Sequence, residues 1–284
     1  MKRMQKEDSR NKEALTVKRT GQRDDFFQTV KEIYAYKEMI ISFVRRELRG
    51  RYKGSALGFF WTFLNPLLQL CVYSIVFSTI LKQGIEKYYL FLFVALIPWI
   101  FFSSSVTGSA SSVIAQKDMV KKIYFPREVL PIAHVTTNFV NMLLCFIVIF
   151  AVVIISGTKL DAVAVLCLVP VWIVEYILAL GMAFIASSVT VYFRDMEHIL
   201  GILMLAWQYL TPVLYGYDII PDQYKLWFSL NPMTPVIGAY RTILYEARVP
   251  ELETLLWALA LGLTVLTVGW CTFTRLKRRF AEEL

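Results

Sequence analysis

Two rows of polar and aromatic side chains interrupt otherwise apolar stretches of this 284-residue chain. Trp61, Asn65, Gln69 and Tyr73 recur every four residues, and Met204, Gln208, Thr211 and Tyr215 follow at spacings of four, three and four. On a helix each row climbs one side. Polar groups in hydrocarbon are costly unless paired or wetted, so such rows fit either a helix–helix contact or a water-lined path. Aromatic faces also stack on sugar C–H faces without a fixed hydrogen-bond register, which suits a wall along which a glycan slides. Glu175, alone in an apolar run, is either a proton-coupling carboxyl or, more in keeping with its isolation, a structural hydrogen-bonding group. Arg194, Asp195, Glu197 and His198 crowd one short turn. That turn is either a solvated connector or a lever that a cytosolic partner grips.

Catalytic kits are absent. There is no GxxxxGK[ST], HExxH, GxSxG or DxD, and the histidines are His134 and His198 alone. The chain is not expected to be an enzyme, nor to hold a metal. Cys71, Cys145, Cys167 and Cys271 lie inside apolar runs without a CxxC pair and read as small hydrophobes.

The elements that must position these residues are membrane spans. Apolar residues make up 57% and charged residues 18%, against about 45–50% and 25% in a soluble chain. That excess of apolar surface needs lipid to cover it. Six runs are long enough to cross a bilayer, at 56–81, 88–110, 131–156, 162–191, 197–217 and 253–273. The expected fold is therefore an all-α integral membrane protein with a six-helix domain over 56–273. With the N-terminus inside, 24 of the 30 Lys and Arg residues fall on the cytosolic side and six on the other, so both termini are expected inside. The net charge of +8 is then a topology signal, and nucleic acid is not an expected partner.

Residues 1–25 have no apolar core and read as a disordered cytosolic tail instead of a signal sequence, and 274–284 read as a basic cytosolic tail. Segment 26–48 places Phe26, Val30, Ile33, Ile40, Ile41, Val44 and Leu48 on one side, with a basic end. It suits an amphipathic interface helix in the inner headgroup layer; a helix packed on a cytosolic domain is the alternative. Between the fifth and sixth spans, 218–252 carries Pro221, Pro232, Pro235 and Pro250 among aromatics. Two short helices against the outer leaflet are expected there, in 221–230 and 234–247.

The segment RRELRGRYKGSALGFFWTFLNPLLQ (45–69) resembles the entry to the first span in membrane subunits of type-2 ABC exporters. IPWIFFSSS (97–105), VKKIYFPREVLP (120–131), YFRDMEHI (192–199), TPVLY (211–215) and NPMTPV (231–236) follow in that family's order. The likeness is greatest to O-antigen and related polysaccharide exporters, with teichoic acid exporters as cousins and drug or small-lipid exporters of the same superfamily as the other candidates. The resemblance implies an ABC-2 type fold in which two copies pair around a path and two copies of a separate ATPase bind beneath. ATP and magnesium would sit on that partner, with no cofactor on this chain. It implies ATPase-coupling contacts at Gln116, Lys117, Lys121, Lys122 and Tyr124, and a shorter coupling turn at Arg194, Asp195 and His198. The helices in 218–252 would form an outer gate. The implied cargo is a lipid-linked glycan, generally on undecaprenyl diphosphate, crossing the bacterial inner membrane. Arg45, Arg46, Arg49, Arg51 and Lys53 would then meet the carrier's diphosphate through bidentate forks, unless they serve only as topology markers touching lipid headgroups. Trp61, Asn65, Gln69, Tyr73, Gln208, Thr211 and Tyr215 would line the glycan path.

Overall fold

A computed structural model describes residues 26–51, 54–80, 84–158 and 160–284. The tail assigned to residues 1–25 and the site residue Lys53 lie outside the described residues. Every regular element among the described residues is helical. Two helices, α1 (Phe26–Ala35) and α2 (Lys37–Gly50), meet at Tyr36. A turn of 3₁₀ helix leads into α3 (Trp61–Ser74), which widens into a π segment at Ile75–Ile80. Then come α4 (Tyr88–Ser112), α5 (Lys117–Lys122), α6 (Val129–Ile155), α7 (Ala162–Leu166) and α8 (Leu168–Tyr192). The remainder is α9 (Met196–Tyr209), α10 (Asp222–Leu230), α11 (Met233–Leu244), α12 (Leu252–Leu276) and α13 (Phe280–Glu283).

Helix α4 is apolar all round, and every residue from Leu90 to Trp99 is buried. Such a helix belongs at the centre of a bundle, and α3, α6, α8, α9 and α11 pack around it. The tightest pair is α8 with α12, where glycines bring the backbones together. By contrast α3, α9 and α12 leave large apolar side chains outside, among them Val72, Ile202, Leu205 and Leu263. A second core lies where the N-terminal ends of α2 and α6 meet the C-terminal ends of α4, α8 and α12. Val113, Phe125, Phe184, Val191, Phe273 and Phe280 fill it, with Met39, Ile40 and Phe43 of α2 packed against it. Part of the apolar side of 26–48 is thus occupied by the chain itself. Phe26, Phe27, Val30 and Tyr34 of α1 stay exposed.

Among the described residues five helices are long and apolar enough to cross a membrane: Gly58–Ser78, Tyr88–Lys122, Val129–Ile155, Ala162–Tyr192 and Leu252–Arg279. The run expected as a fifth span, 197–217, is instead a helix that stops at Tyr209. Its 14 residues rise about 21 Å at 1.5 Å per residue, short of a hydrocarbon layer of about 30 Å. Pro212 supplies the reason, because it removes a backbone donor and disfavours helix at Thr211.

The carbonyls freed beyond the break find side chains. Tyr215 Oη donates to Tyr209 O at 2.6 Å, Asn231 Nδ2 to Leu210 O at 3.0 Å and Tyr88 Oη to Leu214 O at 2.7 Å. Arg241 gives Nη2 to Val213 O at 2.8 Å and Nη1 to Tyr215 O at 3.1 Å. Irregular backbone at membrane depth demands this kind of internal satisfaction. Of the two helices after the break, α10 exposes Tyr224, Leu226 and Trp227, whereas α11 buries Met233, Val236, Ile237, Tyr240 and Ile243 against α4, α8 and α12. Helix α11 is therefore a core element, its apolar side matched to theirs.

Candidate functional site

Where α2 runs past α6, a polar network replaces apolar packing. Helix α6 contributes His134, Thr137, Asn138 and Asn141, which share one face at spacings of three, one and three. Helix α2 and its C-cap contribute Glu47 and Arg51. His134 Nδ1 lies 2.7 Å from Glu47 Oε1, and Thr137 Oγ1 donates to Glu47 Oε2 at 3.2 Å. With Nδ1–H donating to the carboxylate, Nε2 accepts from Asn138 Nδ2 at 3.1 Å. Arg51 Nη2 donates to Asn138 Oδ1 at 2.7 Å and stands 3.7 Å from Glu47 Oε1. Gly108 makes room for this, since a Cβ there would overlap the His134 ring.

The described basic residues near the first span, Arg45, Arg46, Arg49 and Arg51, do not all line one groove. Arg45, Arg46 and Arg49 line an open groove of about 630 Å³ on the outer side of α2, with Glu38 at its edge. Arg46 also stacks on Phe43, its Cζ 4.6 Å from the ring centre. Arg51 turns the other way, into two grooves that share it. One, about 570 Å³, carries Arg46, Glu47, Gln116 and His134. The other, about 500 Å³, runs between α3, α4 and α6 and is lined by Arg51, Trp61, Asn65, Ser104, Asn138 and Asn141 above an apolar floor. Asn141 is 9% exposed, and neither its amide oxygen nor its amide nitrogen has a hydrogen-bond partner.

The two rows of spaced polar residues part company. On α3, Trp61 and Asn65 are exposed, Gln69 and Tyr73 half-buried. Gln69 Nε2 donates to Asn65 Oδ1 at 3.1 Å, and Trp61 Nε1 to Ser55 Oγ at 3.0 Å. On α9 and beyond, Gln208 and Thr211 are buried. Thr211 Oγ1 donates to Trp207 O at 2.9 Å and accepts from Asn231 Nδ2 at 2.8 Å, while Tyr215 closes the break described above. Within one chain the second row is packing and capping, and α4 packs between it and the first.

The residues expected to couple to an ATPase are on the surface. Lys117, Lys121, Lys122, Tyr124, Arg194, Asp195 and His198 are all exposed, with Gln116 half-buried in its groove. Tyr36 Oη donates to Tyr124 O at 3.4 Å, tying the α1–α2 junction to the longer loop. Sequence reasoning missed what holds that loop from behind. Glu128, 1% exposed, accepts from Lys277 Nζ at 2.8 Å, and Arg127 donates to the Lys277 carbonyl. Burial holds the Arg127 guanidinium below its usual pKa, with neighbouring Glu128 opposing that shift. Tyr192 Oη donates to Leu276 O at 2.9 Å. The C-terminal segment is thereby locked to both loops.

Glu175 has a partner that sequence could not supply, for Tyr240 Oη of α11 donates to its Oε2 at 2.5 Å. Among the described residues no group of three or more His, Cys, Asp or Glu is placed to hold a metal.

Residues 38–245 match the family model described as ABC-2 type transporter. An O-antigen export system permease protein RfbA from Myxococcus xanthus is 37% identical over 257 residues, which cover 90% of this chain and 98% of that protein. A second RfbA, from Klebsiella pneumoniae, is 31% identical over 87% of this chain and 95% of its own length. The polysialic acid transport protein KpsM of Escherichia coli is 25% identical over 79% and 88% respectively.

Proposed function

This chain belongs to the ABC-2 type transporter membrane family, and from that premise we propose that it is the permease of an ATP-driven exporter moving an undecaprenyl diphosphate-linked, O-antigen-like polysaccharide. It is a multi-pass inner membrane protein. The observation that carries the cargo assignment is the match to O-antigen permeases over nearly their whole lengths.

In this reading two copies of the chain pair, and a separate ATPase, itself in two copies with ATP and magnesium, binds the exposed surfaces around Lys117–Tyr124 and Arg194–His198. The uncovered apolar sides of α3, α9 and α12 support pairing or lipid contact, because one chain leaves them without a partner. Both termini lie inside. The sixth crossing is made by α9 together with the side-chain-capped stretch to residue 217, whose satisfied carbonyls make irregular backbone tolerable there. Helices α1 and α2 lie at the inner headgroup layer, and α10 with α11 forms the outer gate. Arg45, Arg46 and Arg49 draw phosphate to the surface of α2, and Arg51 beside them meets the carrier's diphosphate. The glycan passes along Trp61, Asn65, Gln69 and Tyr73 of paired α3 helices, and Gln208, Thr211 and Tyr215 shape the path from behind.

The test is depletion of the chain in its native cell. Carrier-linked glycan should accumulate on the cytosolic side, and an ATPase subunit should co-purify with the tagged protein. Unchanged surface glycan with no accumulating intermediate would overturn the assignment.

A further inference from the structure

We propose that the groove between α3, α4 and α6 is a head-group site that takes the first sugar of the diphosphate carrier, with Asn141 reading its hydroxyls; this rests on the exporter reading above.

Asn141 is the reason to look there. It is nine-tenths buried, lines the groove, and leaves both ends of its amide without a partner. An amide carries two donors and an acceptor with two lone pairs, and burying it unpaired costs the full desolvation of each. Neighbouring amides are engaged: Asn138 between Arg51 and His134, Asn65 with Gln69. Asn141, with neither end of its amide engaged, is free to meet a ligand. Adjacent sugar hydroxyls, each both donor and acceptor, complement an amide edge.

The groove is graded along its length. At one end Arg51 spends one guanidinium nitrogen on Asn138, leaving further N–H donors of its five for phosphate oxygens. Three residues on from Asn138 comes Asn141, one turn further from the α6 N-terminus. Trp61 stands at the rim, 39% exposed, with an indole face available to sugar C–H groups. Beyond Asn141 the lining turns to Met142 and Cys145. A diphosphate at Arg51 therefore puts the attached sugar toward Asn141, at the apolar end of the groove. The arginines on the outer side of α2 offer charge but no amide and no aromatic face. The groove is thus chemically matched to a sugar-bearing head group and the outer arginines to any phosphate.

The experiment uses the permease with its ATPase in lipid nanodiscs. The probes are undecaprenyl diphosphate-linked N-acetylglucosamine, sugar-free undecaprenyl diphosphate and phosphatidylglycerol. Asn141→Leu should weaken the sugar-bearing probe about tenfold, the effect of losing roughly one good hydrogen-bonding group, while sugar-free diphosphate binds as before. Arg51→Gln should weaken both carrier probes. The thermal midpoint of Asn141→Leu should equal or exceed that of the parent, because an unpartnered buried amide contributes nothing to folding. Equal binding of the sugar-bearing probe by the parent and Asn141→Leu overturns the site while leaving the exporter reading intact. Asn141-dependent retention of phosphatidylglycerol instead would mean a bulk-lipid site and would also overturn it. The exporter reading fails separately, on glycan accumulation in depleted cells.

Discussion

Gly181 of α8 and Gly269 of α12 meet backbone to backbone. A Cβ on Gly269 would overlap the Gly181 carbonyl, and one on Gly181 would come within 2.6 Å of the Leu266 amide nitrogen. Lipid gives two apolar helices little reason to associate, so close approach through small residues supplies the attraction. Both contacts are with backbone, which cannot swing aside as a side-chain tip would. Gly269→Val should therefore cost about 1–3 kcal/mol and lower the thermal midpoint in detergent. Gly201→Ala, where an added Cβ meets nothing within 4 Å of the chain, should not. Equal midpoints for the two variants would count against the contact.

Glu175 and Tyr240 make the second prediction. The Tyr240 phenol donates and the carboxyl accepts, so the side-chain carbonyl of Gln can take the same bond. Glu175→Gln should keep export within about twofold, whereas Tyr240→Phe leaves a buried acceptor stranded and should cost about 1–3 kcal/mol. A folded Glu175→Gln protein with no export would point to proton transfer instead.

The third concerns the knot behind the longer loop, between α5 and α6. Glu128 is buried and Lys277 nearly so. Lys277→Met strands a carboxylate and should destabilise by roughly 3–5 kcal/mol, as broken buried pairs do. Adding Glu128→Gln should recover most of that loss. Thermal unfolding of the single and double variants measures it; a double variant as unstable as the single would show that the pair is not the cause.

Much of this architecture is legible in order of residues, and the failures have physical causes. Hydropathy finds α4, α6, α8 and α12 because lipid-spanning helices need long unbroken apolar runs. It carries the fifth run through TPVLYGY because those residues are apolar enough, although Pro212 marks the stop. The side chains that make the stop tolerable, Tyr88, Asn231 and Arg241, lie far away in sequence and announce nothing. Periodicity shows that Gln208 and Thr211 share a face but not what that face meets, and it meets the core. The α6 face of His134, Thr137, Asn138 and Asn141 escapes a reading of the sequence, because polar residues at spacings of three, one and three in an apolar run do not say what they meet. Its partner Glu47, from α2, required the fold.

Arg241 gives the last prediction. It is 7% exposed, its guanidinium carbon lies 3.7 Å from the centre of the Phe91 ring, and it bonds two carbonyls of the stretch beyond α9. Phe91 holds the plane of the fork, and the fork spans Val213 and Tyr215. A lysine carries its donors on a single nitrogen and cannot lie flat on the ring while reaching both oxygens. Arg241→Lys should leave one carbonyl unpaired, a loss of about 1–3 kcal/mol confined to the segment after the break. Hydrogen–deuterium exchange should then quicken in residues 210–217 and stay unchanged in α6. Because the proposed sixth crossing depends on that segment staying closed, export should fall as the exchange rises. Parental exchange at 210–217 in the Arg241→Lys protein would show that the fork does not hold the segment.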